Sequence, residues 1–400
     1  MVSSSIRFGL IGVGGFARQH LDAVLALESR GLASLAAVAD PNEAVVASTF
    51  RELNRVPPAT FRDYREMLRS AKLDAVAIGT PLHLHCEMAV AALRAGRAVF
   101  MEKPPVVSLE QWREVLAATR ESKRPCAIDF QWLSSQPIQD FKRWTVEGRL
   151  GQVRDVVAYS HQKRYDGYYE RAAWAGKIML GDRLVRDGSV NNPMAHQLNN
   201  ALYLGSDKPE EYIQPARVRA ELYRAHPIET EDTCCMEIEC REGPKVYFYT
   251  TLCSQHHFNH TAWRVTGTKA TAVLDGTRLQ LLHGSAVKEK IEYKDGQMGS
   301  VAAMVEDTTL FLLGKSKRLL CPFEQTRPFV AAVEGMFLSA QTVKAVPAEF
   351  VKRLPVEDTI ATEILDIDAH IQEAARRKAL FSDLKLPWAV ATKPVTLPAS

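Results

Sequence analysis

A short apolar run, Ile6 to Ile11, breaks into Gly12-Val13-Gly14-Gly15-Phe16-Ala17 and resumes as a helical pattern through His20, Leu21, Val24 and Leu25. Strand, glycine turn and helix in that order constrain the chain to begin as an α/β unit with a buried first strand. Gly12 permits the tight turn, Gly14 lets the backbone approach a pyrophosphate, and the first N–H groups of the helix attract its negative charge. Gly15 and Phe16 complete the loop, and Ala17 is small enough for helix and strand to pack closely.

About twenty residues on, a second apolar run, Leu35 to Ala39, ends in Asp40, where a carboxylate accepts from both ribose hydroxyls of NAD and repels the 2′-phosphate of NADP. The spacing therefore favours NAD, although Asn42 leaves room and Arg51 or Arg55 could reach back toward a phosphate. Asp40 also fits a cap of the helix that starts after Pro41.

Up to about residue 130, apolar runs at 6–11, 35–39, 74–78, 98–101 and 126–130 alternate with helical patterns near 16–29, 41–53, 63–70, 84–95 and 108–123. That alternation predicts a doubly wound parallel sheet, a Rossmann domain over 1–132. A helix through Phe141, Trp144 and Glu147 follows, and the texture then turns β-rich, with runs at Val153–His161, Arg217–Tyr223, Cys234–Cys240, Lys245–Thr251 and Trp263–Thr266. We expect an α+β domain over 133–382 with a large, mostly antiparallel open sheet. Helices are expected from Pro193 to Leu204, from Phe329 to Ala340, and from Val356 to Lys378, the last on the spacing of Ile360, Ile364, Ile367 and Ile371. Residues 383–400 read as an extended strap.

A chain of 400 residues with 46% hydrophobic and 24% charged residues exceeds one core and fits two globular domains. The net charge of +3 and the lack of any basic run give no footprint for nucleic acid. No stretch has the length of a signal peptide core or a membrane span, and seven scattered cysteines without CxxC spacing read as reduced thiols. The expected location is cytoplasmic, with no membrane partner. His256-His257-Phe258-Asn259-His260 invites a metal, but neighbouring strand residues point to opposite faces, so no metal is expected there.

The most specific motif is Gly79-Thr80-Pro81-Leu82-His83-Leu84-His85, followed by Val99-Phe100-Met101-Glu102-Lys103-Pro104. A Thr-Pro turn after the fourth strand, a His four residues after the Pro, and a Glu-Lys-Pro closing the fifth strand resemble the glucose–fructose oxidoreductase/inositol dehydrogenase (Gfo/Idh/MocA) family. The resemblance implies an NAD-dependent oxidoreductase acting on a sugar or polyol hydroxyl, and a homodimer or homotetramer assembled through the second domain's sheet. It places Thr80, Pro81, His85, Glu102, Lys103 and Gln131 at the cofactor, with Lys103 also polarising a substrate oxygen. It further implies a catalytic His on the first long helix of the second domain, His196 here, with an Asp four residues earlier. Position 192 is Asn, which lowers the proton affinity expected of His196 unless a carboxylate is borrowed, with Asp187 a distant candidate. Asn192 and Asn200 are expected to bind substrate hydroxyls. Tyr165, Trp174 and Lys177 belong to an aromatic and polar segment that either lines a sugar pocket or is packed by its own aromatics. The family also contains proteins that oxidise only transiently, so a redox-assisted glycoside hydrolase or epimerase with retained NAD is the alternative. A binding protein without turnover is the third reading.

Overall fold

The computed structural model describes residues 5–256, 259–294 and 298–398, and divides into two compact units. The first comprises 1–134 and 299–327, the second 135–298 and 328–400.

In the first unit, β1 (Ile6–Ile11), β2 (Ala33–Ala39), β3 (Ala59–Phe61), β4 (Ala75–Ile78), β5 (Ala98–Glu102) and β6 (Cys126–Asp129) form one parallel sheet in the order β3-β2-β1-β4-β5-β6. Five of these strands are the apolar runs expected, because a parallel strand covered on both faces is nearly all apolar. β3 was not anticipated: it is a three-residue, largely exposed edge strand with too little side chain to bury. The strand order reverses between β1 and β4, so the loops after these strands open a crevice at the carboxyl edge of the sheet. Helices α1 (Ala17–Glu28), α2 (Glu43–Glu52), α3 (Tyr64–Ser70), α4 (His85–Arg94) and α5 (Leu109–Ser122) connect the strands. Ser108 caps α5 by accepting from Gln111 N.

The sequence reading ran the second domain unbroken from 133 to 382, whereas Gly299–Arg327 folds with the first unit. Helix Val301–Leu312 packs on α1, with Arg30 and Glu306 paired at 2.6 Å. Phe323 stacks on Trp112 at 6.0 Å, and Ile128 N donates to Cys321 O.

The second unit is built on a ten-stranded mixed sheet. From one side it runs Ala286–Glu292, Arg278–His283, Thr271–Asp275, His260–Gly267, Val153–His161, Lys245–Thr251, Thr233–Cys240, Pro215–Arg224 and Lys344–Ala345, with Val395–Thr396 also pairing on Pro215–Arg224. Register assigns the faces. Met236, Phe248, Ala158 and Trp263 align across four strands and point to one side, where Trp263 Nε1 donates to Gln197 O of helix Ala195–Leu204. Cys235, Tyr249, Tyr159 and Ala262 point to the other, where Tyr249 Oη donates to Ala374 O of helix Ile367–Arg377.

The expected helix from Val356 to Lys378 is corrected. Only Ile367–Arg377 is helical, while Thr359–Ile364 pairs antiparallel with Val351–Val356 around a turn in which Glu357 has φ +52°. Ile360 and Ile364 are four apart, which suits one helix face but also one strand face, and the β-branched run Thr359-Ile360-Ala361-Thr362 favours the strand. Beyond it, Trp388 packs edge-on against Tyr223 and Phe381, fastening the C-terminal segment to the sheet.

Candidate active site

The loop after β1 is fixed by its neighbours. Gly12 N donates to Ala39 O, Gly79 N donates to Ile11 O, and Val13 N donates to the Asp40 carboxylate at 3.1 Å. Gly12 has φ +83°, and a Cβ on it would meet Gly79 O at 3.0 Å; a Cβ on Gly14 would meet Val45 Cγ1 at 2.9 Å. Gly12 therefore excludes a larger residue, and one at position 14 would have to displace the Val45 methyl. Asp40 does not cap α2. Asn42 does so, accepting from Ala44 N and Val45 N, while the other oxygen of Asp40 accepts from Asn42 N at 2.9 Å. Arg55 is held by Glu28 at 2.5 Å.

At the end of β4, Thr80 Oγ1 donates to Met88 Sδ, and Pro81 leads into a turn of 3-10 helix, Leu82–Leu84. His85 was expected at the cofactor. Instead it is fully buried, with Nδ1 2.7 Å from Pro104 O and Nε2 2.9 Å from Thr80 O. Burial pushes its imidazole below the usual histidine range, and the two carbonyls oppose that shift. His85 is thus a brace joining the Thr80-Pro81 turn to the segment after Lys103. Lys103 follows the last residue of β5, nearly buried, with its Nζ 3.9 Å from Glu102. Gln131 lies after β6, and its buried Oε1 has no hydrogen-bond partner among the described residues.

In the second unit, His196 lies in the first turn of helix Ala195–Leu204, whose residues are all buried. The far end of that helix is tied down by Lys142, whose ammonium donates to Tyr203 O (2.6 Å), Ser206 O (2.8 Å) and Glu211 O (3.2 Å). Asn200, one turn past His196, is fully buried, and neither end of its amide has a partner among the described residues; the same is true of Asn199, which the sequence reading did not single out. Asn192 Nδ2 donates to Asp187 at 2.6 Å.

The aromatic segment is largely packed on itself. Arg171 stacks over Tyr168 (3.9 Å) and Trp174 (4.6 Å), Lys177 pairs with Glu229 at 2.8 Å, and Tyr165 forms a β-bridge with Ala361. Of the five histidine-rich positions, His257 and Phe258 lie outside the described residues. His256 is exposed, and His260 bonds Asp275 (2.7 Å) and His161 (3.1 Å).

Residues 6–130 match the model of an oxidoreductase family with an NAD-binding Rossmann fold, and 138–273 match the GFO/IDH/MocA C-terminal domain, together more than half of the chain. The chain belongs to the GFO/IDH/MocA family. A glycosyl hydrolase family 109 protein of Saccharopolyspora erythraea is 26% identical over 222 residues, 48% of this chain and 48% of its own. D-glucoside 3-dehydrogenase of Escherichia coli is 30% identical over 206 residues, 51% and 55% of the two chains. The WlbA dehydrogenase from Bordetella pertussis, solved with NADH and UDP-GlcNAcA, superposes with a TM-score of 0.71 at 22% identity, covering 84% of this chain and 97% of that one. At that identity the likeness is one of fold. The chain spans about half the length of the curated relatives it matches.

The first unit fits the dinucleotide of a GFO/IDH/MocA Rossmann domain, with one shift from expectation. The amides of Ala17, Arg18 and Gln19 in the first helical turn are satisfied by Gly14 O, Gly15 O and Phe16 O. The amides left without an acceptor among the described residues are those of Gly14, Gly15 and Phe16, a run of N–H groups of the kind that cradles a pyrophosphate.

Sequence reasoning missed what stands beside Lys103. His20, buried on α1, has its Nε2 3.3 Å from both Glu102 and Asp129, and Asp129 is fully buried at the end of β6. Its ring is flanked by Phe16 and Phe100. Although burial opposes it, hydrogen bonds to Asp129 and Glu102 push the imidazole up to about 9, and burial pushes the Asp129 carboxyl up to about 6. The signal was present in the sequence: an ionisable residue at the end of a buried strand, and a His on the inward face of the first helix, each needing a partner.

Proposed function

We propose that this chain is an NAD-dependent oxidoreductase that exchanges a hydride with a carbinol carbon of a sugar or polyol. The observation that carries the reading is Lys103, a nearly buried amine at the carboxyl edge of the sheet whose β1 loop offers the amides of Gly14, Gly15 and Phe16, which have no acceptor among the described residues. Bound NAD supplies the hydride acceptor. Gly14, Gly15 and Phe16 hold the pyrophosphate, Asp40 accepts from the ribose hydroxyls, and the Oε1 of Gln131 accepts from a carboxamide or ribose donor. Lys103 donates to the carbinol oxygen and His196 removes its proton. Asn192 and Asn200, with the polar edge of the Tyr165–Lys177 segment, bind the remaining hydroxyls.

The test is NADH formation at 340 nm with the full chain, NAD and a panel of polyols, free sugars, glycosides and nucleotide sugars. Repeated turnover with one class supports the reading; tight NAD binding without turnover across the panel points to a binding protein.

A second reading is favoured by the similarity to glycosyl hydrolase family 109 proteins: hydride removal acidifies a neighbouring C–H, loss of that proton eliminates the glycosidic oxygen as the free alcohol, water adds to the resulting double bond, and the hydride returns to the carbonyl carbon. Cleavage of an aryl glycoside without net NADH, by protein that keeps its nucleotide through gel filtration, would select it.

Cofactor choice gives a separate prediction. Asp40→Ser removes the acceptor of the ribose hydroxyls and the charge that repels a 2′-phosphate, so NAD affinity should fall roughly 10- to 100-fold while NADP gains. Fluorescence titration with both reduced nucleotides measures this, and an unchanged NAD:NADP ratio would contradict the assignment.

Among the described residues no helix is long and apolar enough to cross a membrane. The seven cysteines are buried and unbridged, which fits the cytoplasmic location we propose. Assembly as a homodimer or homotetramer through the second unit's sheet is part of the same proposal, supported by the exposed outer strand Ala286–Glu292.

A further inference from the structure

On the face of the large sheet covered by helix Ile367–Arg377, two histidine rings stand in a row between two acids. His161 ends the strand Val153–His161, His260 opens the strand His260–Gly267, and His161 Nε2 lies 3.1 Å from His260 Nδ1. His260 Nε2 lies 2.7 Å from Asp275 Oδ1 on the neighbouring strand. At the other end, His161 Nδ1 lies 3.1 Å from Asp368 Oδ1 in the first turn of the helix, off the line of a good hydrogen bond. Both of these atoms are buried, and neither has a hydrogen-bond partner among the described residues. The second oxygen of Asp368 accepts from Ser254 Oγ at 2.9 Å and from Gln255 N at 3.1 Å.

The row admits one proton beyond those of two neutral rings. Asp275, held below the usual carboxylate range by its bond to His260, only accepts, so His260 Nε2 carries a hydrogen. In the neutral pair His161 Nε2–H then donates to His260 Nδ1, which leaves His161 Nδ1 as a bare lone pair beside the Asp368 carboxylate. One added proton turns that contact into an ion pair and keeps both hydrogen bonds; a second would set N–H against N–H between the rings. We infer that His161 and His260 share a single proton between Asp275 and Asp368, forming a pH-sensitive clamp that fixes the first turn of helix Ile367–Arg377 to the sheet. The neighbouring groups agree with it. The bond to Asp275 raises His260 against burial, and, although burial raises it, the His161 ring and the Ser254 hydroxyl hold the Asp368 carboxyl below its usual range. Tyr159 lies against both rings, and burial raises its phenol, so it stays neutral. Lys163 is paired with Glu363 at 2.6 Å, Arg264 acts on Tyr159 and Arg278 on Asp275, and His256 Nε2 approaches Asp368 to 3.9 Å. A proton held more tightly than by a free ring is in place at about pH 6.5 and is lost as pH rises through its release, which opens the clamp.

The test follows the histidine rings of the 400-residue chain by 1H–13C spectra from about pH 5 to 9.5, assigned with His161→Gln and His260→Gln. The signals of both rings should move together in one step above about 6.5 that releases one proton, with the second proton taken up at least about one unit lower. Asp275→Asn, at the more exposed end of the row, should lower the joint step by about half to one unit, and Asp368→Asn should do the same. Amide exchange at His370 and Ile371, taken relative to their intrinsic rates, should quicken roughly three- to tenfold once the proton has left, and should lose that dependence in His161→Gln. Two rings that titrate independently near 6.5 would overturn the inference, as would a joint step that neither Asp variant moves or a helix turn whose protection is the same on both sides of it. Where Asp368→Asn or His161→Gln does not fold, Asp275→Asn and His260→Gln decide in their place. None of these readouts needs NAD or a substrate.

Discussion

Lys103→Ala is expected to lower kcat and kcat/KM together by roughly 10²- to 10⁴-fold, with NADH affinity changed less than about tenfold. The amine lies just past the carboxyl end of β5, nearly buried, with a carboxylate oxygen of Glu102 3.9 Å away. A donor held in place before the reaction stabilises charge developing on the carbinol oxygen more than it stabilises the bound alcohol, so its loss appears in kcat. Lys103→Arg keeps the charge but adds a planar fork that the site has no reason to fit, and should recover little of the loss. His196→Gln should cost a similar factor. A Lys103→Ala enzyme with normal kcat and raised KM would show that the amine only binds substrate.

His20→Ala is expected to destabilise the fold by about 3–5 kcal/mol, because it leaves the buried carboxylates of Glu102 and Asp129 without their shared donor. The sign of the pH dependence follows from the direction of the shift. The imidazole is held up to about 9 in the folded chain, so its contribution is complete below about pH 6.5 and is lost as pH rises through 9, roughly 3 kcal/mol in all. The Asp129 carboxyl, raised to about 6 by burial, adds a loss of the same sign at lower pH, as protons leave it between about 4 and 6. Urea unfolding of the wild type between pH 6 and 10 should show a steady fall in stability that His20→Gln lacks. A flat profile in the wild type would mean that the ring is neutral and the cluster is held by other bonds.

Much of the first unit was legible because its signals are local. A parallel strand covered on both faces must be apolar along its length, a sharp turn against a neighbouring carbonyl must be glycine, and a Thr-Pro turn or a Glu-Lys-Pro strand end is contiguous in sequence. What was not legible depends on partners far along the chain. His85 reads as a ligand until Thr80 O and Pro104 O are seen on its two nitrogens. His20 reads as part of a helix face until Asp129, 109 residues later, comes to 3.3 Å. The stripe Ile360, Ile364, Ile367 and Ile371 suited one helix, but a strand and a helix share it. Trp174 reads as a stacking platform for a sugar, yet Arg171 already lies 4.6 Å from its ring. Asp187 was nameable from sequence, whereas its bond to Asn192 needed the fold.

The most direct test of the central claim is a stoichiometric absorbance experiment: the 400-residue chain at high concentration, loaded with one equivalent of NAD, is mixed with each member of the sugar and polyol panel and followed at 340 nm from the first milliseconds. The account predicts NADH absorbance with at least one class of carbinol, persistent for a dehydrogenase or rising and decaying for a hydrolase, and absent in Lys103→Ala. Protein that binds NAD and a panel sugar but shows no absorbance change with any of them would contradict hydride transfer, and with it the function proposed here.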